Sequence, residues 1–216
     1  PFGDGPDGHS LWPSFTNVPN EFLESYFPLR IEIYETITNS GGAGYHRGGN
    51  GVRVGYRFLE SGEISVHDDR WLTYPWGVNG GKPGARSKKI LVKSDGTEQL
   101  VPSKCDRVKV MDGDLLLFET WGGGGWGDPL TREVERVGSD VKKGLVSVSG
   151  ALNYGVITDS HGVVAIKKTQ ELRKEMNVAR GEIELFDKGG SIEELKARCL
   201  AETGFNPPIA PSFAPH

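Results

Sequence analysis

Two short clusters in this 216-residue chain place side chains that could perform acid–base or anion chemistry next to one another. The first, His67-Asp68-Asp69-Arg70, sits at the predicted end of a strand. A carboxylate beside a histidine can orient its tautomer for general-base catalysis. Because alternate residues of a strand share a face, we expect His67 and Asp69 on one side and Asp68 on the other. His67, Asp69 and Arg70 are therefore candidate catalytic residues; the alternative is an exposed turn in which Arg70 pairs with Asp68 or Asp69.

The second cluster is His46-Arg47, which stands between glycines at 41, 42 and 44 and glycines at 48 and 49. A guanidinium presents a fixed fork of donors that matches a phosphate or a carboxylate. His46, Arg47, Gly48 and Gly49 are therefore candidate ligand contacts, an assignment that depends on the family resemblance described below. The alternative is a solvated turn in which Arg47 ties down loop carbonyls.

Four consecutive glycines at 122–125 form the third candidate site. Such a run is entropically costly to order, so a folded protein keeps it where the backbone must approach another group closely or adopt positive φ. It follows an apolar strand candidate at 114–119 and precedes Asp128-Pro129, a capping pair that predicts a helix through Val137. Backbone N–H groups at a strand–turn–helix junction can bind an anion, which makes Gly123, Gly124 and Gly125 candidate ligand contacts.

The common nucleotide-binding labels do not fit this run. Gly122, Gly124 and Gly127 formally satisfy G-x-G-x-x-G, but no carboxylate stands at 145–149, roughly 20 residues on, where the ribose partner belongs. No Lys-Ser or Lys-Thr follows either glycine cluster, which excludes a Walker A loop. A packed glycine corner between a sheet edge and a helix is the simpler interpretation.

Composition restricts the possible partners. The net charge of −4 includes no basic block, which argues against nucleic-acid binding. No apolar run approaches the ~20 residues of a membrane span. Cys105 and Cys199 lie far apart, as expected of reduced thiols in a cytoplasmic protein, and no Cys or His spacing suggests a metal site.

The chain up to about residue 160 has the pattern of a mostly β body. Short alternating segments at 29–34, 52–58 and 63–67 predict strands, and Ser61-Gly62 predicts a hairpin between the last two. Asp95-Gly96 predicts a second hairpin, joining 89–93 to 98–101, and Asp112-Gly113 a third turn before 115–118. Short strands at this spacing predict an antiparallel sandwich or barrel-like body over residues 1–160, with glycine-rich corners.

Residues 161–216 read as a helical carboxyl-terminal extension. A short helix at 149–155 precedes it, and strong helix formers occupy 166–179. Ser191 and Glu194 form a capping box that opens another helix, ended near Gly204. The last ten residues form a proline-rich tail. The predicted class is α+β, mostly β, with a helical carboxyl-terminal appendage.

Taken in order, these blocks resemble the carboxyl-terminal part of the hydantoinase B/5-oxoprolinase family, whose relatives include the large subunits of acetone and acetophenone carboxylases. The matching blocks cover most of the chain. They are residues 39–51, Arg70 with 75–78 and 80–81, 122–129 with Arg132, 140–144 with Ala151 and 154–156, and a tail at 186–187 and 193–195 that looks like the oxoprolinase branch.

The resemblance implies an ATP-dependent enzyme that opens a cyclic amide or imide such as 5-oxoproline or a hydantoin. In the family, a hydantoinase A-type ATP-binding subunit or domain is thought to phosphorylate the substrate carbonyl, and the B-type region then supports ring opening. The His and Asp residues proposed to hold a divalent metal belong to the amino-terminal part of the B-type subunit. That part would precede Pro1, and the chain opens without a Met, as expected of the interior of a longer polypeptide.

ATP and the metal are therefore expected outside this chain, with both of those protein regions as its partners. An isolated chain is expected to be inactive. Two alternatives remain open: a segment of an ATP-dependent ketone carboxylase, and a non-catalytic β-sandwich module that binds sugar or protein through its tryptophans, Trp12, Trp71, Trp76, Trp121 and Trp126.

Overall fold

The computed structural model describes residues 2–9, 17–207 and 209. Trp12, His216 and the tail beyond Pro207, apart from Ile209, lie outside the described residues. The strands are β1 Leu29–Thr36, β2 Val52–Phe58, β3 Gly62–His67, β4 Gly77–Val78, β5 Lys88–Val92, β6 Glu98–Leu100, β7 Lys104–Val110, β8 Leu115–Glu119 and β9 Phe186–Asp187. The α-helices are α1 Asn20–Tyr26, α2 Val134–Lys142, α3 Ile166–Ala179 and α4 Ile192–Thr203, and 3-10 turns occupy Pro129–Thr131 and Gly150–Tyr154.

Two antiparallel sheets form the β body and confirm the predicted sandwich. One has five strands in the order β1-β2-β8-β5-β6, and the other pairs β3 with β7. Their facing side chains share one hydrophobic core, since alternate residues of each strand turn inward. The buried members are Phe58, Val66, Leu91, Val101, Val110 and Leu116. The predicted hairpin across Asp95-Gly96 is confirmed as β5–β6.

The predicted hairpin across Ser61-Gly62 is wrong. Strand β2 pairs with β1 on one edge and β8 on the other, so neither edge is open to β3. The turn at 59–61 instead carries the chain to the facing sheet, where β3 pairs with β7. The turn at Asp112-Gly113 makes the same kind of crossing, from β7 back to β8.

The helix predicted from Asp128 through Val137 is also wrong in its length. Its start is right, because the Asp128 carboxylate accepts a hydrogen bond from the Leu130 N–H (3.0 Å) and Pro129 follows. The helix ends after a single 3-10 turn, because Arg132 and Glu133 have extended ψ angles of 138° and 130°. Arg132 is 1% exposed, and its guanidinium enters a buried ion cluster described below. Helix α2 begins only after this interruption.

The carboxyl-terminal helices follow the sequence prediction. Helix α3 spans Ile166–Ala179, and α4 opens with the Ser191–Glu194 capping box and ends at left-handed Gly204. Strand β9 pairs with β4, and ion pairs Lys82–Asp187, Arg86–Glu202 and Arg180–Asp128 cross between residues 161–207 and the rest of the described chain. The division into units at residue 160 stays a prediction. No helix in the described part of the chain is long and apolar enough to cross a membrane.

A stack of glycine-rich segments, which we call the glycine stack, adjoins the sandwich. It consists of residues 40–51, 76–85 and 122–127. The N–H groups of Gly122, Gly123 and Gly125 donate to the carbonyls of Ala85, Gly49 and Lys82 at 3.1, 2.7 and 2.9 Å. Gly122 and Gly125 thus bond to segment 76–85 and Gly123 bonds to segment 40–51, so that both other segments hold residues 122–127 in place.

The segments approach so closely that side chains do not fit between them. A Cβ built on Gly122 would overlap the carbonyl oxygen of Ser40, and one on Gly124 would overlap that of Trp76. These obstacles are backbone atoms, which cannot turn aside as a side chain can. At Gly122, Gly124 and Gly125, where a Cβ would overlap a carbonyl oxygen of another segment, only glycine permits this contact.

Replacing Gly124 with alanine is expected to abolish folding or to cost more than about 4 kcal/mol of unfolding free energy, because backbone must separate from backbone. Gly62→Ala is the matched control, since a Cβ at Gly62 meets no atom within 4 Å. It should change stability by less than about 1 kcal/mol. Urea unfolding of both variants checks this, and a Gly124→Ala protein as stable as the control would contradict the packing.

Candidate functional site

Arg47 is buried in the glycine stack, with 4% of its side chain exposed. Its guanidinium donates to both oxygens of Asp7, at 2.8 and 3.3 Å, and to the carbonyl of Gly48 at 2.7 Å. Its Nε lies 3.9 Å from Asp140. The carboxylate that Arg47 meets therefore comes from the chain itself.

Asp7 belongs to a segment, residues 4–8, which we call the acidic strap and which turns at Asp7-Gly8. The strap runs beside residues 47–50: the N–H groups of Gly5 and Gly8 donate to the carbonyls of Arg47 and Asn50 at 2.7 and 2.8 Å. In return, the Asn50 N–H donates to the Asp7 carboxylate at 2.7 Å. The strap thereby adds a further layer of hydrogen-bonded backbone to the glycine stack.

Asp4 is the second anchor of the strap. Arg132 donates to both Asp4 oxygens at 2.6 and 2.8 Å, and Arg136 adds a bond of 2.9 Å. The backbone N–H of Arg47 donates to the same carboxylate at 2.8 Å. Arg132 also reaches the Tyr45 carbonyl at 2.8 Å and Asp140 at 2.7 Å. Bidentate charge-assisted bonds of this kind are among the strongest in proteins.

The cluster balances three guanidinium groups against the carboxylates of Asp4, Asp7 and Asp140. Burial acts to raise the pKa of Asp4, but the hydrogen bonds and charge of Arg132 hold it well below its usual range. Burial beside the cluster raises the pKa of Tyr154 to about 12. The Asp4 carboxylate is therefore charged at neutral pH and Tyr154 keeps its proton.

His46 lies at the edge of this cluster. Its Nδ1 is 3.9 Å from Asp4, and its ring packs edge-on against Tyr45 and at a tilt against Trp126. The proposed ligand contacts, His46 to Gly49 and Gly123 to Gly125, are thus neighbours in one stack. The N–H groups of Gly123 and Gly125 and the guanidinium of Arg47 are occupied by protein groups, and ligand contact at these positions stays a prediction.

The candidate catalytic cluster does not assemble as one site. His67 faces Asp106 (3.3 Å) rather than Asp69, and both of those side chains are 67% exposed. Asp69 pairs with Lys104 at 3.0 Å on the surface. Arg70 has φ 59°, and its guanidinium lies at a long distance, 3.5 Å, from the Tyr74 carbonyl. Catalytic roles for His67, Asp69 and Arg70 stay a prediction.

The buried member of that sequence is Asp68, which pairs with Lys89 inside the sandwich. Lys89 also donates to Ser87 and Ser103 at 3.0 and 3.2 Å and lies 5.0 Å from the ring centre of Phe118. Burial and the nearby charge of Lys104 lower the pKa of Lys89 to about 8. Sequence alternation placed Asp68 on the opposite face from Asp69, but nothing in the sequence pointed to Lys89 on β5 as its partner.

The acidic side chains of the described residues do not form a metal site. Within residues 2–9, 17–207 and 209, no group of three or more His, Cys, Asp or Glu side chains could hold a metal ion. The three aspartates of the arginine cluster are matched by cations. The described donor set therefore does not fit a divalent metal.

Comparison with known proteins identifies the family of this glycine-rich architecture. The sequence model described as Hydantoinase B/oxoprolinase matches residues 1–129, a region that contains the acidic strap and the whole glycine stack. The chain belongs to the hydantoinase B/oxoprolinase family. The resemblance stated from the sequence is confirmed.

Individual relatives agree with this family. The B-type subunit of a putative D-/L-hydantoinase from Pseudomonas sp. (strain NS671) is 38% identical over 79% of this chain. The crystal structure of ATP-dependent caprolactamase from Pseudomonas jessenii matches 72% of the chain at 31% identity, with a TM-score of 0.60. Nucleotide-free acetone carboxylase covers 93% of the chain with a TM-score of 0.67, and its 22% identity shows a shared fold alone.

The chain is short beside these relatives. It spans 29% of the hydantoinase chain and 28% of the caprolactamase chain.

The strap's Asp4 supplies a test of the arginine cluster. Asp4→Asn should lower the unfolding free energy by on the order of 3 kcal/mol at pH 7, because the buried guanidinium of Arg132 loses the negative charge that it pairs with. Since the folded-state pKa of Asp4 is lowered, its contribution is complete above the unfolded pKa of about 4 and is lost as pH falls below it. The difference in unfolding free energy between wild type and variant should therefore begin to shrink below about pH 4 and vanish only as pH falls through the lowered pKa of folded Asp4.

The matched control is Glu35→Gln, which removes an ion pair to Arg53 in which Glu35 is 54% exposed. That change should cost no more than about 1 kcal/mol. Equal stability of Asp4→Asn and wild type at pH 7 would show that the strap is not anchored in this way.

Proposed function

We propose that this chain is the carboxyl-terminal segment of a B-type subunit in an ATP-dependent hydrolase that opens a cyclic amide or imide, of the 5-oxoproline or hydantoin type. The observation that carries the proposal is the 31% identity to ATP-dependent caprolactamase over a shared fold. The beta subunit of the Pseudomonas jessenii caprolactamase is 34% identical over 66% of this chain, so the comparison itself is with one subunit of several.

The chemistry explains why such an enzyme uses ATP. A lactam carbonyl is a poor electrophile, and ATP supplies a phosphoryl group that turns its oxygen into a leaving group. For this reaction we propose an A-type ATP-binding subunit or domain, together with the amino-terminal part of the B-type subunit, as partners in the cytoplasm. ATP and the divalent metal would be bound by those regions.

The contribution we assign to this chain is a rigid wall of the active site. The glycine stack is held by backbone bonds and closed by the acidic strap, so it can present His46 and the adjoining backbone in a fixed position. Fixed positioning is what a catalytic assembly needs from groups that do not react themselves. We retain residues 46–49 and 123–125 as the proposed positions nearest the ligand.

A carboxylase subunit is the second candidate, supported by the acetone carboxylase fold over 93% of the chain. The binding-module alternative has less support. Trp76 and Trp121 are 48% and 40% exposed, but Phe186 packs edge-on against Trp76 and Lys188 lies 5.5 Å from its ring centre. One broad aromatic surface for a sugar is therefore not available at Trp76.

A hybrid enzyme tests this proposal. The beta subunit of caprolactamase in which the matched segment is replaced by this chain should hydrolyse lactam in the presence of ATP and the other subunit. The isolated chain, assayed with the same lactam and ATP, should hydrolyse lactam no faster than buffer without protein does.

Two results would contradict the proposal. ATP-dependent turnover by the isolated chain would show that the catalytic parts are within it. A hybrid that assembles fully but does not hydrolyse lactam, under conditions in which the native beta subunit does, would show that this chain does not perform the B-type role in lactam opening.

A further inference from the structure

The outer face of the five-stranded sheet carries an apolar stripe that is not part of the sandwich core. One cross-strand row contains Ile33, Gly55, Leu117, Ile90 and Leu100, which the strand registers place directly opposite one another. Residues opposite one another in antiparallel strands point to the same face. The side chain of Ile33 lies over Gly55, 3.0–3.2 Å from where a Cβ would stand, and so fills the gap in the row.

Leu115 and Val92 extend this row along β8 and β5, where the register again sets them opposite each other. We call Ile33, Leu117, Ile90, Leu100, Leu115 and Val92 the outer stripe. All six are partly exposed, whereas Leu116 and Leu91, their chain neighbours on the other face, are buried in the core. No stripe residue belongs to a hydrophobic core of the described residues or packs against one.

The charged side chains that border the stripe form ion pairs with one another. Arg53 bonds Glu119 and Glu35 at 2.8 and 2.7 Å, and Arg57 bonds Glu32 at 2.8 Å. The pairing with Arg57 lowers the pKa of Glu32 to about 2. An apolar centre with a neutralised polar rim is the anatomy of a protein interface. A solvent-facing sheet surface would alternate with polar residues instead.

We propose that the outer stripe is the docking surface for the amino-terminal region of the B-type subunit, an inference that rests on the proposed function. Chain length selects this occupant, because this chain spans only 28–29% of the caprolactamase and hydantoinase chains. A segment that belongs to a longer polypeptide must bury an apolar face against the remainder of that polypeptide. The outer stripe is the partly exposed apolar face of this sheet and therefore the surface that the remainder would cover.

The test compares one substitution in two contexts. In the isolated chain, Leu117→Lys should shift the Tm by less than about 2 °C, because the new ammonium faces water. In the hybrid beta subunit of caprolactamase, the same change should lower the Tm by roughly 5–10 °C, because the ammonium would be buried. Leu116→Lys, one residue away, should destabilise the protein in both contexts, and Val178→Lys on exposed α3 should do so in neither.

Lysine at the aligned position of the native caprolactamase beta subunit should lower its Tm by a similar amount, which tests the same surface without a hybrid. A tolerated charge in the longer proteins would overturn the proposal, as would a Leu117→Lys that unfolds the isolated chain as Leu116→Lys does. A dimer of the isolated chain that Leu117→Lys dissociates would overturn it as well, by assigning the stripe to a second copy. Because the readout is Tm, it is independent of whether the hybrid hydrolyses lactam.

Discussion

Backbone packed directly against backbone is the constraint on which the rest of this structure depends. In the glycine stack, a Cβ at Gly122 or Gly124 would overlap a carbonyl of another segment. Such contact requires glycine at defined positions and satisfies polar groups by bonds between segments, as from Gly123 to Gly49. Ordering these glycines is entropically costly, so the stack needs support from elsewhere in the molecule.

The arginine cluster provides that support. Asp4 and Asp7 hold the acidic strap against residues 47–50, and Arg132 connects the strap to the loop at Tyr45 and to Asp140 in α2. Removing one member of such a cluster leaves an uncompensated buried charge, so its members depend on one another. A wall made in this way is rigid, which suits a role in positioning groups for a reaction completed by other parts of an assembly.

The sequence was informative about local structure and about family. The capping box at Ser191, the Asp95-Gly96 hairpin and the Asp128 cap were all predicted correctly, because each depends on residues close together in the chain. The family resemblance was also correct, since ordered glycine blocks at 39–51 and 122–129 carry it.

Long-range pairing could not be read from the same patterns. The turn at Ser61-Gly62 looks alike whether β3 pairs with β2 or crosses to another sheet, and the choice depends on β1 and β8 occupying both edges of β2. Arg132 interrupts a good helix sequence because its partners, Asp4 and Tyr45, are remote in the chain. The Asp68–Lys89 pair was missed for the same reason: neither residue's neighbours in sequence indicate the other.

Amide hydrogen exchange at Gly122, Gly123 and Gly125 tests the central claim most directly. If the stack is held by bonds between its segments, these three N–H groups should exchange as slowly as those of Leu116 and Leu91 in the sandwich core, through global unfolding. Exchange of the three glycine amides within seconds, while the core amides remain protected, would show that the glycine run is an open loop and would contradict the account.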